Sequence, residues 1–288
     1  MAMVHRILVF LALAVTALAQ GVAHRQVEVL GQQIHYLEAG SGPTVILLHG
    51  LGGDASNWAL TVPALAPRYH VYVPDQIGFG RSDKPLINYR VATLVDFLDR
   101  FAKKLGITKA TLVGNSLGGW VAVAYTISHP EQVERLVPVD SAGYSPARTG
   151  ASRIPRELLL ALNPSTVAGM KQVLNLILFN KDLITDEFAE RAFTDKLRKN
   201  DGYTVNQFIE SIARGEDFLD GKLGAIKTPT LIIWGREDEL TPLAGAKALE
   251  QDIAGSRSLI LDRCGHVPQM ECAGEFNAGL LKFLSGAE

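Results

Sequence analysis

The stretch Thr111-Leu112-Val113-Gly114-Asn115-Ser116-Leu117-Gly118-Gly119 constrains this chain more tightly than any other. A short apolar run enters it, and Trp120–Ile127, apolar nearly all round, leaves it. The spacing predicts a strand that turns into a helix within two or three residues. Such a bend forces its central residue into a strained backbone conformation, and flanking glycines keep Cβ atoms out of the crowded turn. It lifts the Ser116 hydroxyl out at the strand's end, above the N-terminus of the next helix. Gly119 lets that helix pack close. The plainer alternative is a serine that only caps a helix.

Around this elbow the pattern is that of an α/β fold. Val27–Val29 and Gln33–Glu38 alternate and read as an antiparallel hairpin. Val45–Leu48, Val71–Val73, Thr111–Val113, Leu136–Val139 and Leu231–Trp234 are near-continuous apolar runs, as in strands buried on both faces of a mainly parallel sheet. Between them Val91, Leu94, Val95, Leu98, Phe101 and Leu105 keep helical spacing. Alternating strands and helices imply right-handed crossovers. The alternation lapses over residues 143–222, where several helices follow one another. Asn163 with Pro164, Thr185 and Thr204 are the expected helix starts. The organisation expected is a sheet core of residues 20–142 and 223–288, with a helical cap or lid of 143–222 inserted after the sixth strand. A helical layer without a gating role is the alternative.

The N-terminus differs from the rest. His5 and Arg6 precede 12 apolar-rich residues from Ile7 to Leu18, then Ala19 and Gln20. A weakly basic start, a short apolar run and small residues before a cleavage point predict a signal peptide of residues 1–19. The run is short for a bilayer, which takes ~20 residues. Export to the periplasm or medium is the expectation, with an uncleaved membrane anchor as the alternative. No stable span remains after cleavage. Two cysteines, Cys264 and Cys272, do not make a disulfide framework and read as free, buried thiols, although an oxidising compartment would allow them to pair. A net charge of −2 gives no basic patch for nucleic acid.

A serine hydroxyl needs a base to act as nucleophile. Of seven histidines, His266 in Cys264-Gly265-His266-Val267-Pro268 follows the strand-like Ser258–Leu261, where a loop at a strand's C-terminal end can reach Ser116. An imidazole base needs an acid to fix its tautomer and stabilise its charged form. Asp238, beyond the strand Leu231–Ile233, is the expected acid; its neighbour Glu237 and Asp140, at the end of Leu136–Val139, are rivals. An oxyanion needs preorganised donors. Leu117 N–H directly follows the serine, and His49-Gly50-Leu51-Gly52-Gly53, after another strand, offers Leu51 N–H. His49, Gly50, Asn115, Trp120 and Val267 are the expected substrate contacts. Asp75 reads as a turn residue that organises Pro74–Gly80. The glycine turn lacks a dinucleotide pattern and no cluster has metal-ligand spacing, so neither cofactor nor metal is expected.

His49–Gly53, Asp75–Gly80, Gly114–Gly119, Trp234–Asp238 and Gly265-His266, in that order, resemble the α/β-hydrolase superfamily over roughly Val27 to Leu284. The resemblance implies the α/β-hydrolase fold and a serine hydrolase with the triad Ser116, Asp238 and His266. Two subgroups look similar: bacterial lipases and carboxylesterases, and the meta-cleavage-product C–C hydrolases. The latter share the Gly-Asn-Ser-x-Gly-Gly stretch, a segment like Leu183–Glu187 and an end like Cys264–Asn277. They usually have Trp where this chain has Val267, a Pro where it has Gly52-Gly53, and a lid Arg that aligns with Ala192, one position from Arg191. One helical position is about 100° of rotation. Those departures favour an exported carboxylic-ester hydrolase, acting on a small ester with an apolar group that suits Val173, Leu174, Ile177 and Leu178. C–C bond hydrolysis is the alternative, and a non-catalytic ligand-binding protein on the same scaffold is a third reading.

Overall fold

The computed structural model describes residues 21–145, 148 and 156–286, so the expected signal peptide of residues 1–19 lies outside the described residues. Eight strands form one sheet: β1 (Val22–Val29), β2 (Gln32–Ala39), β3 (Thr44–Leu48), β4 (His70–Pro74), β5 (Ala110–Asn115), β6 (Val133–Val139), β7 (Leu231–Gly235) and β8 (Arg257–Leu261). Their spatial order is β1-β2-β4-β3-β5-β6-β7-β8. The hairpin turns through Leu30 and Gly31, both at positive φ, as a two-residue turn with matching strand twist demands. Only β1–β2 and β2–β4 pair antiparallel; β4 through β8 run parallel.

The unbroken apolar runs are explained by two cores. Ile46 and Leu48 face one side of β3 with Leu112, Leu136 and Trp234, beneath α1 (Val91–Lys104), α2 (Leu117–Ser128) and the helix before β8. Val45 and Leu47 face the other side with Val113, Val137 and Ile233, against Trp58 and the last helix, Ala273–Leu284. Side chains alternate across a strand, so a strand covered on both faces has no polar position to offer. Fully burying each such side chain contributes about 1.5–3 kcal/mol.

The region between β6 and β7 holds α3 (Arg156–Ala161), α4 (Val167–Ile177), α5 (Asp186–Lys199) and α6 (Gly202–Ala213). Two helix starts differ from expectation. The cap of α4 is Thr166, whose Oγ1 accepts from Gly169 N–H. Asn163 instead donates to Gly202 O and Asn206 Oδ1, joining the segment before α4 to α6. Helix α6 starts at Gly202, so Thr204 is a buried residue of its first turn. Thr185 caps α5 as expected, accepting from Phe188 N–H. Met170, Leu174, Leu178, Ile184 and Ala189 give α4 and α5 a small core of their own, and Val267 of the sheet domain packs on it. Trp120 fixes α2 to the segment after α6: its indole N–H donates to Asp217 O, and its ring stacks on Phe218.

The close approach of α2 to the sheet depends on Gly118, where a Cβ would lie 2.3 Å from Leu48 O. Alanine is the better helix former by about 1 kcal/mol. Gly118→Ala is nevertheless expected to lower the unfolding free energy by about 2 kcal/mol or more, measured by urea titration, because backbone on both sides must move.

Candidate active site

Ser116 joins β5 to α2 with φ 56° and ψ −117°. Non-glycine residues rarely hold such a conformation, which costs about 1–3 kcal/mol. The surroundings enforce it. Ser116 N–H donates to Val139 O at 2.9 Å, and Ser116 O accepts from Trp120 N–H and Ala142 N–H. A Cβ on Gly114 would stand 2.1 Å from Gly118 O, so only glycine closes the bend. The serine thus sits at the C-terminal edge of the sheet, where β3, β6, β7 and β8 also deliver their loops.

The β8 loop brings His266. Its ring is buried, and Nδ1–H donates to Asp238 Oδ2 at 2.8 Å, leaving Nε2 as the basic atom. Asp238 is held in turn by Leu240 N–H and Thr241 N–H on Oδ1 and by the Thr241 hydroxyl on Oδ2. Burial pushes the Asp238 carboxyl upward, but the His266 interaction and the Thr241 donors outweigh it and leave Asp238 below the usual carboxylate range. Glu237 points away and accepts from Cys264 N–H. Asp140 accepts from Gly235 N–H and lies within 4.8 Å of the Asp238–His266 pair. The structure therefore joins His266 to Asp238 and leaves Asp140 beside that pair. These three residues are a group with metal-ligand spacing among the described residues, one that the sequence did not reveal. The protonated Nδ1 has no lone pair to give a metal.

The glycine turn after β3 faces the elbow. A Cβ on Gly50 would lie 3.2 Å from Ser116 Cβ. Among the described residues, Leu51 N–H meets no protein acceptor, and Leu117 N–H opens α2, where a helix leaves donors free. Both suit a developing oxyanion.

Three expected substrate contacts serve other ends. His49 is fully buried; Nδ1–H donates to Gly50 O and Nε2 accepts from Gln76 N–H, so both nitrogens are committed. Burial lowers its pKa and keeps the ring neutral. Asn115 turns inward and donates to His266 O at 3.0 Å, fixing the histidine loop. Trp120 is buried under the Asp217–Phe218 segment. Gly50 remains against the serine, and Val267 is part-exposed between His266 and the cap core. Asp75 organises its loop as expected, accepting from Ala55 N–H, Arg81 N–H and His35.

Sequence reasoning missed the residues that fasten the cap to these loops. Glu271 accepts from Gly265 N–H on the histidine loop and from Phe179 N–H and Asn180 N–H on the cap. His266 N–H donates to Ile177 O at 2.8 Å. Cys264 and Cys272, expected as free thiols, are joined in a disulfide with Cα atoms 6.2 Å apart. The loop folds back over the single helical turn Pro268–Glu271 and brings them within bonding reach. Beside the glycine turn after β3, Lys199 at the end of α5 pairs with Asp54 at 2.7 Å and donates to Gly52 O. A long-range pair of this kind has no local sequence pattern.

Burial raises the Asp54 carboxyl, yet the Lys199 charge and hydrogen bond, with Ser56, bring it down to about 2. A depressed carboxylate contributes stability that is present above its unfolded pKa and lost as pH falls through the folded one. Asp54→Asn should therefore cost on the order of 2 kcal/mol at neutral pH. In unfolding measured against pH, the gap between variant and wild type should close between about pH 4 and pH 2.

A family model described as alpha/beta hydrolase fold matches residues 43–273. The 2-hydroxymuconate semialdehyde hydrolase of Pseudomonas sp. (strain CF600) is 33% identical over 92% of this chain and 94% of its own. The 2-hydroxy-6-oxo-6-phenylhexa-2,4-dienoate hydrolase of Burkholderia cepacia is 33% identical over 88% and 91%. Among solved structures, a meta-cleavage product hydrolase from Pseudomonas fluorescens superposes with a TM-score of 0.82, at 31% identity over 92% of this chain and 98% of that one. A bacterial membrane phospholipase A superposes with a TM-score of 0.80 at 27% identity, covering 99% of each chain.

These relatives correct the expectation of a carboxylic-ester hydrolase. Agreement over most of the chain with proteins named as C–C hydrolases outweighs a reading built on Val267, Gly52-Gly53 and the lid position at Ala192. The physical reason is that nucleophile, base and oxyanion donors serve both reactions alike, so the elbow and triad carry no information about the bond cleaved. The lid position did not decide the question either. Arg191 is exposed, but Lys196 and Lys199 lie further along α5 with side chains only 17% and 22% exposed.

Proposed function

Because the chain belongs to the α/β-hydrolase family, we propose that it is a serine hydrolase of the meta-cleavage-product type, cleaving a C–C bond beside a ketone in a 2-hydroxy-6-oxo-dienoate. The observation that carries this reading is the 33% identity to such hydrolases over about nine-tenths of the chain.

In this reading Ser116 Oγ adds to the ketone carbon of the keto tautomer while His266 Nε2 takes its proton. Leu51 N–H and Leu117 N–H hold the oxyanion. The C–C bond then breaks. Its electron pair stays on the chain carbon, delocalised through the adjoining C=C onto the 2-oxo group, and His266 returns the proton to that fragment. Water, activated by His266, releases the acid from Ser116. Asp238 orients His266 and stabilises its charged form. The carboxylate of such a substrate needs a cation; Lys196 and Lys199 on α5 are part-buried, and each is matched by an acid, Asp201 and Asp54, that a substrate carboxylate would have to compete with.

We also propose that the protein is exported. The apolar segment behind His5 and Arg6 supports this, as does a disulfide that an oxidising compartment favours. Among the described residues no helix is long and apolar enough to cross a membrane. Mass spectrometry of the native protein should find a mature N-terminus at Gln20; a chain that keeps residues 1–19 would count against export with cleavage.

The decisive measurement is kcat/KM on 2-hydroxy-6-oxo-6-phenylhexa-2,4-dienoate beside a graded panel of esters. The dienoate should be turned over faster than any ester, and the opposite ranking would overturn the proposal. Ser116→Ala should lower kcat by about 10³-fold or more without loss of folding, since the nucleophile itself is removed.

A further inference from the structure

Asp140 follows β6 and is completely buried. Oδ1 accepts from Gly235 N–H at 2.9 Å, whereas Oδ2 meets no donor and no solvent. A ligand atom of Asp140 lies within 4.8 Å of those of Asp238 and His266. The Asp238 oxygens already accept from Leu240 N–H, Thr241 N–H, the Thr241 hydroxyl and His266. Nothing in that set donates to Asp140. Asp238 acts on it from the β7 loop, with His266 behind, and Glu271 acts from the turn that follows the histidine loop. Asp238 and Glu271 are both acids. A buried carboxylate in such company has two charges to repel and a bare oxygen to desolvate. A neutral carboxyl has neither problem, because its hydroxyl becomes a donor.

We propose that Asp140 is a positioning residue that keeps its proton on Oδ2 at neutral pH and turns it toward Asp238, so that two carboxyl groups beneath His266 carry one negative charge. The proposal rests on the Ser116–His266–Asp238 reading. Its consequence for that reading is specific. Asp238 is steadied by a neutral donor, and His266 faces a single anion whose pull on the imidazolium is moderated. Burial, and then the Asp238 charge, push the Asp140 carboxyl well above the usual carboxylate range, in keeping with this geometry.

Two measurements test it. The first needs no turnover: infrared difference spectra of wild type against Asp140→Asn at pH 7, with ¹³C-labelled aspartate. Wild type should display the carbonyl stretch of a neutral carboxylic acid, shifted by the label and absent from the variant. Loss of carboxylate bands instead would overturn the proposal, whatever the substrate. If the variant does not fold, the labelled wild type alone decides, by presence or absence of the neutral-acid band. The second is the pH profile of kcat/KM. Asparagine is a neutral donor of the same shape, so Asp140→Asn should stay within about threefold of wild type with its acidic limb unmoved. Asp140→Leu removes the donor, exposes His266 to the full Asp238 charge and should move that limb to higher pH. If Asp140→Asn moved the limb to lower pH, an ionised Asp140 would have been lost and the proposal would fail. If the wild type itself turned over no dienoate while the neutral-acid band was present, the proton-sharing pair would stand and the reaction assignment would fall; an active wild type beside a folded but inactive Asp140→Asn would overturn the positioning role.

Discussion

The ends of β5 and β6 meet at the backbone of Ser116. Its N–H is taken by the last carbonyl of β6, and its carbonyl by the segment that leaves β6. Those two bonds hold φ at 56° against the preference of any side chain. The sheet supplies the rigidity. Its parallel strands pair from β4 to β8, and those beside the elbow, β3, β5 and β6, bury side chains in the cores on both faces, so the elbow cannot relax without disturbing two cores. Every other candidate group is positioned relative to that edge: the glycine turn after β3, Asp140 after β6, Asp238 after β7 and His266 after β8.

The candidate chemistry is layered outward from this edge. Asp238 and Thr241 set the tautomer of His266, Asn115 holds its carbonyl, and Glu271 ties its loop to the cap. On the opposite side Lys199 joins α5 to Asp54 and Gly52 of the glycine turn after β3. The cap therefore meets the catalytic loops through charged and backbone contacts at both flanks, with an apolar core of its own between them.

The elbow, the parallel sheet and the Asp238–His266 pairing were legible in the sequence because each is written in a local run: glycines at a bend, or an apolar strand followed by a loop. The helix starts at Thr166 and Gly202 were not. Asn163 matched a cap pattern but is drawn to α6, a tertiary contact no local rule contains. His49, Asn115 and Trp120 stood beside the right motifs, yet their polar atoms are consumed by Gln76, His266 and Asp217. The disulfide escaped notice because a spacing of 8 residues says nothing about whether a loop folds back. The bond to be cleaved was the least legible of all, since esters and ketones are attacked by the same atoms.

The helical region and the His266 loop share one fastening. His266 N–H is bonded to Ile177 O, and the next cap residues hang on Glu271 from the same loop. Displacing that part of the cap pulls on the histidine loop. Residues 177–180 and the histidine loop are thus fastened as one unit, so a substitution at Glu271 would be felt at His266 as much as at the helical region above it.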